Sequence, residues 1–450
     1  MAIALAVLAL VVVTVLFHFL SPWWFTPIAA DWSFLDLTVD ITFWITGVVF
    51  IVLNGFLVWA ILKYRHREGL KAHYEPESKR LEWWLTAVTT VGVIGLLAPG
   101  LWVWGKFVTV PDDAEVVEVI GQQWHWSFRF PGDDGVLGQT DVTLMTPDNP
   151  FGMKADDPAG RDDVLIGDAV LHLKLDQPYK FVLRSKDVVH NFTVPQFRVK
   201  MDLVPGMATY QWAKPTRTGQ FDILCEELCG IGHFAMRGAV VVDEAADFEN
   251  WLAAHPTFGE LLDQPEPDPE QGRALFGVCT ACHGEQGEGN EQLNAPRLAG
   301  QQRGYLIRQL NNFKRGLRGA DPTDPFGMQM APMANTLADD DAVAKVVAYI
   351  GTLPETEPPA TISGDLQRGK QLYRTCTSCH GAEGQGIWAL NAPRLEGLND
   401  WYLQRQLENY RQGIRGTHPQ DLYGKQMNLL SGMLRDEQSM RDLVAYINSL

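Results

Sequence analysis

The sequence predicts a multidomain chain: apolar helices long enough to cross a membrane, then an all-β domain, then two successive copies of one all-α domain. Three observations predict it. Residues 1–30 carry no charge, and Ile41 to Leu62 and Trp83 to Gly105 are two further uncharged apolar stretches. Short β-branched and aromatic runs bounded by turn residues fill the region from Val116 to Val242. From Cys279 onward the sequence repeats itself at an offset of 97 residues. A chain of 450 residues is long enough for several domains.

Each apolar stretch can span about 30 Å of hydrocarbon as a helix. The first could instead be a cleaved signal peptide, with small residues at Ile28-Ala29-Ala30, but it lacks a charged start, and Trp23, Trp24 and Phe25 suit an interfacial belt. Both readings stay open. Lys63, Arg65, Arg67, Lys71, Lys79 and Arg80 lie between the second and third stretches. Such a basic cluster belongs in the cytoplasm, so everything after Gly105 is expected outside.

Val116 to Phe130, Val170 to Leu175, Phe181 to Arg184, Phe221 to Leu224 and Gly238 to Val242 read as strands of a β-sandwich or barrel. Between the last two lies Cys225-Glu-Glu227-Leu-Cys229-Gly-Ile-Gly-His233-Phe-Ala-Met236. Two thiols, an imidazole and a thioether within twelve residues form a soft ligand set suited to copper. His190 is expected on a loop after an earlier strand, where a sandwich can bring distant ligands to one end.

In the repeat, Cys279-Thr-Ala-Cys282-His283 maps onto Cys376-Thr-Ser-Cys379-His380, and Asn294-Ala-Pro-Arg-Leu298 onto Asn391-Ala-Pro-Arg-Leu395. Tyr305, Gln309 and Arg318 recur as Tyr402, Gln406 and Arg415. Cys-x-x-Cys-His is the motif of covalent haem c attachment, with the histidine as axial ligand. All six cysteines are used in these three motifs. For the opposite axial ligand, Met330 alone among Met328, Met330 and Met333 has a methionine at the repeat offset, Met427, and each lies 47 residues beyond its histidine. His/Met ligation leaves no open coordination position, which suits electron transfer.

The division expected is residues 1–30 as the first apolar segment, 31–105 a transmembrane hairpin, 106–256 the β domain, 257–270 a linker, 271–353 the first helical domain, 354–363 a second linker and 364–450 the second helical domain. Pro265, Pro267 and Pro269 stiffen the first linker.

The copper motif resembles the dinuclear copper (CuA) centre of subunit II of haem-copper oxidases, and Ser185-Lys-Asp187-Val-Val-His190 with Val194-Pro195 resembles that family's first-histidine segment. The resemblance implies a cupredoxin-like sandwich in which Cys225 and Cys229 bridge two coppers. His190, His233, Met236 and the carbonyl of Glu227 complete the set, and the Glu227 side chain reaches a Mg2+ or Mn2+ shared with subunit I. Gly121 to Pro131 resembles the family's aromatic stretch, making Trp124 the electron-entry residue, although His125 stands where the family has tyrosine. The helical copies are similar to di-haem cytochromes c of bacterial periplasms, which implies two covalent haems c, held by Cys279, Cys282, His283 and Met330 and by Cys376, Cys379, His380 and Met427.

Together these resemblances imply the electron-input subunit of a terminal cytochrome c oxidase in a bacterial inner membrane, with its copper and haem domains on the periplasmic side. Oxidase subunits I and III and a respiratory donor, cytochrome c or a cytochrome bc complex, would be its partners. Dioxygen reduction and proton pumping would occur on subunit I. Two rivals share these features: the input subunit of a copper-containing nitric oxide reductase, and a membrane-anchored electron carrier. The net charge of −17, with 28 acidic against 13 basic residues between Lys106 and Glu270, could steer a basic soluble partner to that region or serve plain solubility, and both readings stay open; no nucleic acid is expected as a partner. Since the linker places the first helical domain nearest the β domain in sequence, Trp124 is expected between the first haem and copper, with the second domain facing the donor.

Overall fold

The uncharged stretches form α1 (Ala2–Leu20), α2 (Ser33–Lys63) and α3 (Lys79–Val108). This computed structural model describes residues 1–450 except 22–25, 70, 72, 73, 75, 147, 148, 231, 388 and 389, so the expected belt of Trp23, Trp24 and Phe25 lies outside the described residues. At 19 residues the shortest helix reaches about 28 Å, and the apolar side chains of all three are almost wholly exposed, as a lipid-facing surface requires. The start of α2 is fixed by the β domain. Trp32 is buried in the β-domain core, 4.5 Å from the Trp212 ring, and Asp36 pairs with Arg198 at 2.7 Å.

Ten strands make two five-stranded sheets. One runs β3 (Val164–Ile166), β2 (His125–Phe130), β1 (Glu115–Gln122), β5 (Tyr179–Ser185), β8 (Thr209–Ala213). The other runs β4 (Val170–Lys174), β10 (Arg237–Asp243), β9 (Gly219–Leu224), β6 (His190–Val194), β7 (Val199–Leu203). The β1–β5 and β4–β10 pairs are parallel and the rest antiparallel. Alternate residues point inward, so Val117, Val119, Phe181 and Leu183 of one sheet meet Leu171, Phe221, Ile223 and Val240 of the other. Four strands, β3 and β6 to β8, fall where no strand was expected, and His190 is not on a loop but opens β6.

Within β2, Arg129 is fully buried and bridges two acids, Glu118 at 2.6 Å and Asp163 at 2.8 Å, while also donating to the Gly138 carbonyl at 3.0 Å. The residues between β2 and β3 are thereby closed onto the sheet. Short helices α4 (Ala245–Ala253) and α5 (Phe258–Leu262) follow β10. Thr257 to Leu262, expected in the linker, instead form a capped helix whose Phe258 is buried against Ile120, Phe151, Met153 and Leu165. Fewer than ten residues of spacer remain before α6 at Pro269.

The first helical copy contains α6 (Pro269–Phe276), α7 (Thr280–His283), α8 (Arg303–Lys314), α9 (Pro325–Ala334) and α10 (Asp340–Ile350). The second contains α11 (Leu366–Tyr373), α12 (Thr377–His380), α13 (Asp400–Arg411), α14 (Leu422–Ser431) and α15 (Glu437–Ile447). Their cores match at the repeat offset: Phe276, Leu306, Leu337, Val343 and Val347 stand where Tyr373, Leu403, Leu434, Met440 and Val444 stand. The copies face one another through crossed bonds, Arg297 donating to the Gly397 carbonyl and Arg394 to that of Gly300.

Removing one partner of a buried ion network leaves the others charged and unpaired, at about 3–5 kcal/mol. Arg129→Met should therefore lower the stability of the β domain by that order in thermal or urea unfolding, and Arg129→Met combined with Glu118→Leu should recover part of it. A single variant as stable as the parent would show that the network carries no such constraint.

Candidate metal centres

The twelve-residue copper motif is the connection between β9 and β10, and it folds back so that its side chains converge on the start of β6. The side-chain donors of His190, Cys225 and Cys229 all lie within 4.8 Å of one another and are buried. The two sulfurs are 3.6 Å apart, His233 Nδ1 is 3.6 Å and Met236 Sδ 3.9 Å from the Cys229 sulfur, and the Glu227 carbonyl oxygen is 3.3 Å from the Cys225 sulfur. The six residues singled out in the sequence thus share one place. A thiol–thiol hydrogen bond drives the pair apart in acidity, Cys225 well below its ordinary value and Cys229 above it.

His190 shows that the set suits a metal. Its Nε2 meets Asp187 Oδ1 at 2.8 Å, while its Nδ1 is buried without any hydrogen-bond partner. A carboxylate behind one ring nitrogen, with the other nitrogen aimed among thiols, is how a ligating histidine is oriented. Two thiolates and thioether sulfur select a soft ion such as copper.

Each haem motif makes a single helical turn, α7 or α12, ended by a glycine whose φ of +82° at Gly284 or +81° at Gly381 excludes other residues. His283 Nδ1 donates to the Pro296 carbonyl at 2.7 Å, and His380 Nδ1 to that of Pro393 at 2.8 Å. This is what the repeated Asn-Ala-Pro-Arg-Leu segment does: it fixes the tautomer with Nδ1 as donor and leaves Nε2 unprotonated, the form in which a histidine could hold iron. Burial holds both imidazoles below the ordinary histidine value, against the pull of those carbonyls, so both are neutral as a ligand must be. His283, Met330, His380 and Met427 line one continuous cavity together with Cys279 and Cys282. Met333 lines it too, whereas Met328 and Met433 do not.

The arginines and tyrosines that recur in the repeat bind the copies together across that cavity. Arg318 donates to Gln309, Tyr402 and Gln406, and Arg415 donates to Gln406, Tyr305 and Gln309. Their recurrence in the sequence was the only sign of this role. Burial by the opposite copy accounts for the rest.

Trp124 sits between the centres, but not where the order of domains placed it. Its Nε1 donates to the Cys229 carbonyl at 3.1 Å, and Gln123 Nε2 donates to the same oxygen at 2.7 Å. A Cβ on Gly232 would lie 2.4 Å from the Trp124 ring, so glycine there lets the indole lie flat on the copper loop. On its other side Trp124 shares a cavity with Cys379, His380, Met427 and Leu430 of the second copy. His125 lies 6.0 Å from the Tyr423 ring, and Leu430 packs on the β-domain core. The expectation that the first haem domain adjoins copper is corrected: the chain returns on itself, and the second copy docks.

Residues 115–244 match the family model for the periplasmic domain of cytochrome c oxidase subunit II, and residues 269–354 and 366–450 each match the cytochrome c model. An alternative cytochrome c oxidase subunit 2 from Bradyrhizobium diazoefficiens is 54% identical over 261 residues, covering 58% of this chain and 94% of that protein. Cytochrome c oxidase subunit 2 of Alkalihalophilus pseudofirmus is 24% identical over 343 residues, 73% of this chain and 89% of the other. Cytochrome c4 of Thiocapsa roseopersicina is 37% identical over 163 residues, 34% of this chain and 79% of that protein.

Burial lowers the His125 pKa from 6.5 to about 4, against the Gly167 carbonyl it meets at 2.8 Å. The folded chain keeps this ring neutral while the unfolded chain protonates it below pH 6.5, so stability is lost as pH falls from 6.5 towards 4 and is unaffected above that window. The loss attributable to His125 is at most about 3 kcal/mol. Unfolding midpoints followed from pH 7 to 4 should fall less steeply in His125→Phe than in the parent; equal slopes would place the acid sensitivity elsewhere.

Proposed function

The chain belongs to the cytochrome c oxidase subunit II family, and from that premise we propose that it carries electrons from its first cytochrome c domain to its second, and through Trp124 to the copper loop. It is an electron-input subunit of an oxidoreductase, with haem c and copper as its cofactors and a membrane anchor at its N-terminal side. Bound haem iron and copper supply the one-electron redox centres. The protein's part is to hold and space them.

In this reading Cys279, Cys282, His283 and Met330 hold one haem, and Cys376, Cys379, His380 and Met427 the other. His190, Cys225, the Glu227 carbonyl, Cys229, His233 and Met236 hold two coppers. The domain division is the one read from the sequence, except that the first linker begins after α5. The observation that carries the route is the position of Trp124, hydrogen-bonded to the Cys229 carbonyl on one side and sharing a cavity with His380 and Met427 on the other. Indole between two centres replaces a gap with bonded and packed atoms.

Electrons then leave for subunit I, where dioxygen is reduced and protons are pumped. The relatives named as oxidases support dioxygen over nitric oxide as acceptor. Leu228 and Phe234, exposed on the copper loop, offer subunit I an apolar face, and the Glu227 carboxylate would join a Mg2+ or Mn2+ there. Subunit III and a bacterial inner membrane complete the proposed setting, with the donor a cytochrome on the outer side.

Met330→Ala and Met427→Ala should each convert one low-spin haem to high-spin in optical spectra, while Met333→Ala converts none. A spectrum in which Met333→Ala is the damaging change would reassign the ligand. For the route, the purified complex is reduced at its haems by rapid mixing and copper reduction is followed. Trp124→Ala should slow haem-to-copper transfer at least tenfold with copper content unchanged. Unchanged transfer in Trp124→Ala would remove the indole from the path.

A further inference from the structure

We propose that Arg308 and Tyr423 are positioning residues for the second haem: one from each cytochrome copy, they brace the segment that orients its axial histidine, on a side where the first haem's segment has no brace; this rests on His283 and His380 as the axial ligands. The internal repeat supplies the comparison, since it sets the same turn twice in one chain. The turns themselves match. Asn294 and Asn391 both lie at φ +55°, a left-handed conformation that asparagine tolerates. A backbone bridge closes each, Asn290 to Ala295 in one and Ile387 to Ala392 in the other. Two residues beyond each asparagine, a proline carbonyl accepts from the histidine, at 2.7 Å for His283 and 2.8 Å for His380.

Beyond the proline, each segment is held once from the opposite copy. The Arg297 amide donates to Asn399 at 2.7 Å, and the Arg394 carbonyl accepts from Gln301 at 3.1 Å. The difference lies before the proline, at the asparagine. Arg308, on α8 of the first copy, donates to the Asn391 carbonyl at 2.8 Å and to its side-chain oxygen at 3.2 Å. The Asn391 side chain donates in turn to the Tyr423 hydroxyl at 2.8 Å, and the Arg308 guanidinium lies 4.6 Å over the Tyr423 ring. In the opposite sense the same pair makes no brace. Arg405, the counterpart of Arg308 at the offset of 97, lies 4.5 Å over Phe326, the counterpart of Tyr423. Phe326 has no hydroxyl for Asn294, and among the described residues no hydrogen bond joins Arg405 to Asn294.

Tyr423 also meets the copper domain, its ring 6.0 Å from that of His125. The segment behind His380 is therefore tied to both neighbouring domains, to one through Arg308 and to the other through Tyr423. Groups hydrogen-bonded behind a ligating imidazole set its orientation and basicity, and through them the potential of the metal. Two haem sites with the same ligands are made unequal in this way. The second takes its setting from how the first copy and the copper domain pack against it, so an electron shared between the two haems has a preferred side without any change of ligand.

The test is a spectroelectrochemical titration of the purified complex, each haem followed alone in a Met330→Ala or Met427→Ala background in which the other's low-spin signal is lost. Arg308→Lys keeps the charge but loses the fork that reaches both Asn391 oxygens, and Tyr423→Phe loses only a hydroxyl. Each should change the second haem's ratio of reduced to oxidised form at a fixed potential by about fivefold, the worth of one hydrogen bond, and leave the first haem's ratio unchanged. Haem content and the low-spin spectrum should be retained, so that a lost site is not read as a shift. Hydrogen exchange across residues 390–398 should quicken in both variants, while 293–301 keeps its parental rate. Parental ratios in both variants, or a first haem that moves as far as the second, overturn the proposal. So does an effect seen in Arg308→Met alone, which would make Arg308 a charge and not a brace. His380→Ala tests the ligand assignment by itself: if the second haem's low-spin spectrum survives it, that assignment fails whatever the ratios do.

Discussion

One carbonyl oxygen ties the molecule together. The Cys229 carbonyl accepts hydrogen bonds from the Gln123 side chain and the Trp124 indole, so the copper loop and the β1–β2 turn move as one body. Gly230, at φ +117°, and Gly232 leave room for the indole, since a Cβ on either would come within 3.0 Å of it. A side chain at either position would force ring and loop apart. The second cytochrome domain packs on the outer face of that same turn, through His125, Tyr423 and Leu430. Ligand geometry and domain docking are in this way set by one local arrangement.

The two cytochrome copies are held by a seam with approximate two-fold character. Arg318 and Arg415, with their glutamine and tyrosine partners, cross it in opposite senses, as do Arg297 and Arg394. Symmetric copies joined this way present their metal-binding cavities to each other. The symmetry ends at the β domain, because only one copy can occupy the Trp124 face. Divergence between the copies follows from that: Tyr423 stands where the first copy has Phe326, and its hydroxyl accepts a hydrogen bond from Asn391.

What the sequence made legible was chemistry carried by short spacings. Cys225 to Met236, the two Cys-x-x-Cys-His turns, and Met330 with Met427 were readable as groups that gather at one place, because residues spaced within a turn or a repeat need no knowledge of the fold to be brought together. The apolar helices were readable because lipid imposes length and absence of charge on a single segment. The order of the haem domains was not. Linker length ranked the first copy nearest the copper, but docking is decided by surface matching between Tyr423, Leu430 and the β1–β2 turn, residues some 300 positions apart. His190 opening β6, and α5 closing over Ile120, were hidden for the same reason: their partners lie far away in the chain.

The short spacer between α5 and α6 has a consequence for how docking behaves. With both cytochrome domains on one chain and only a few free residues before Pro269, the second domain searches a small volume around the copper domain rather than the whole aqueous compartment. Its effective concentration there is of millimolar order. Even a contact too weak to hold two separate proteins would then be occupied most of the time, and would re-form after each parting without waiting on diffusion. Contact between the second domain and the copper loop is thereby independent of the concentration of other proteins around the complex.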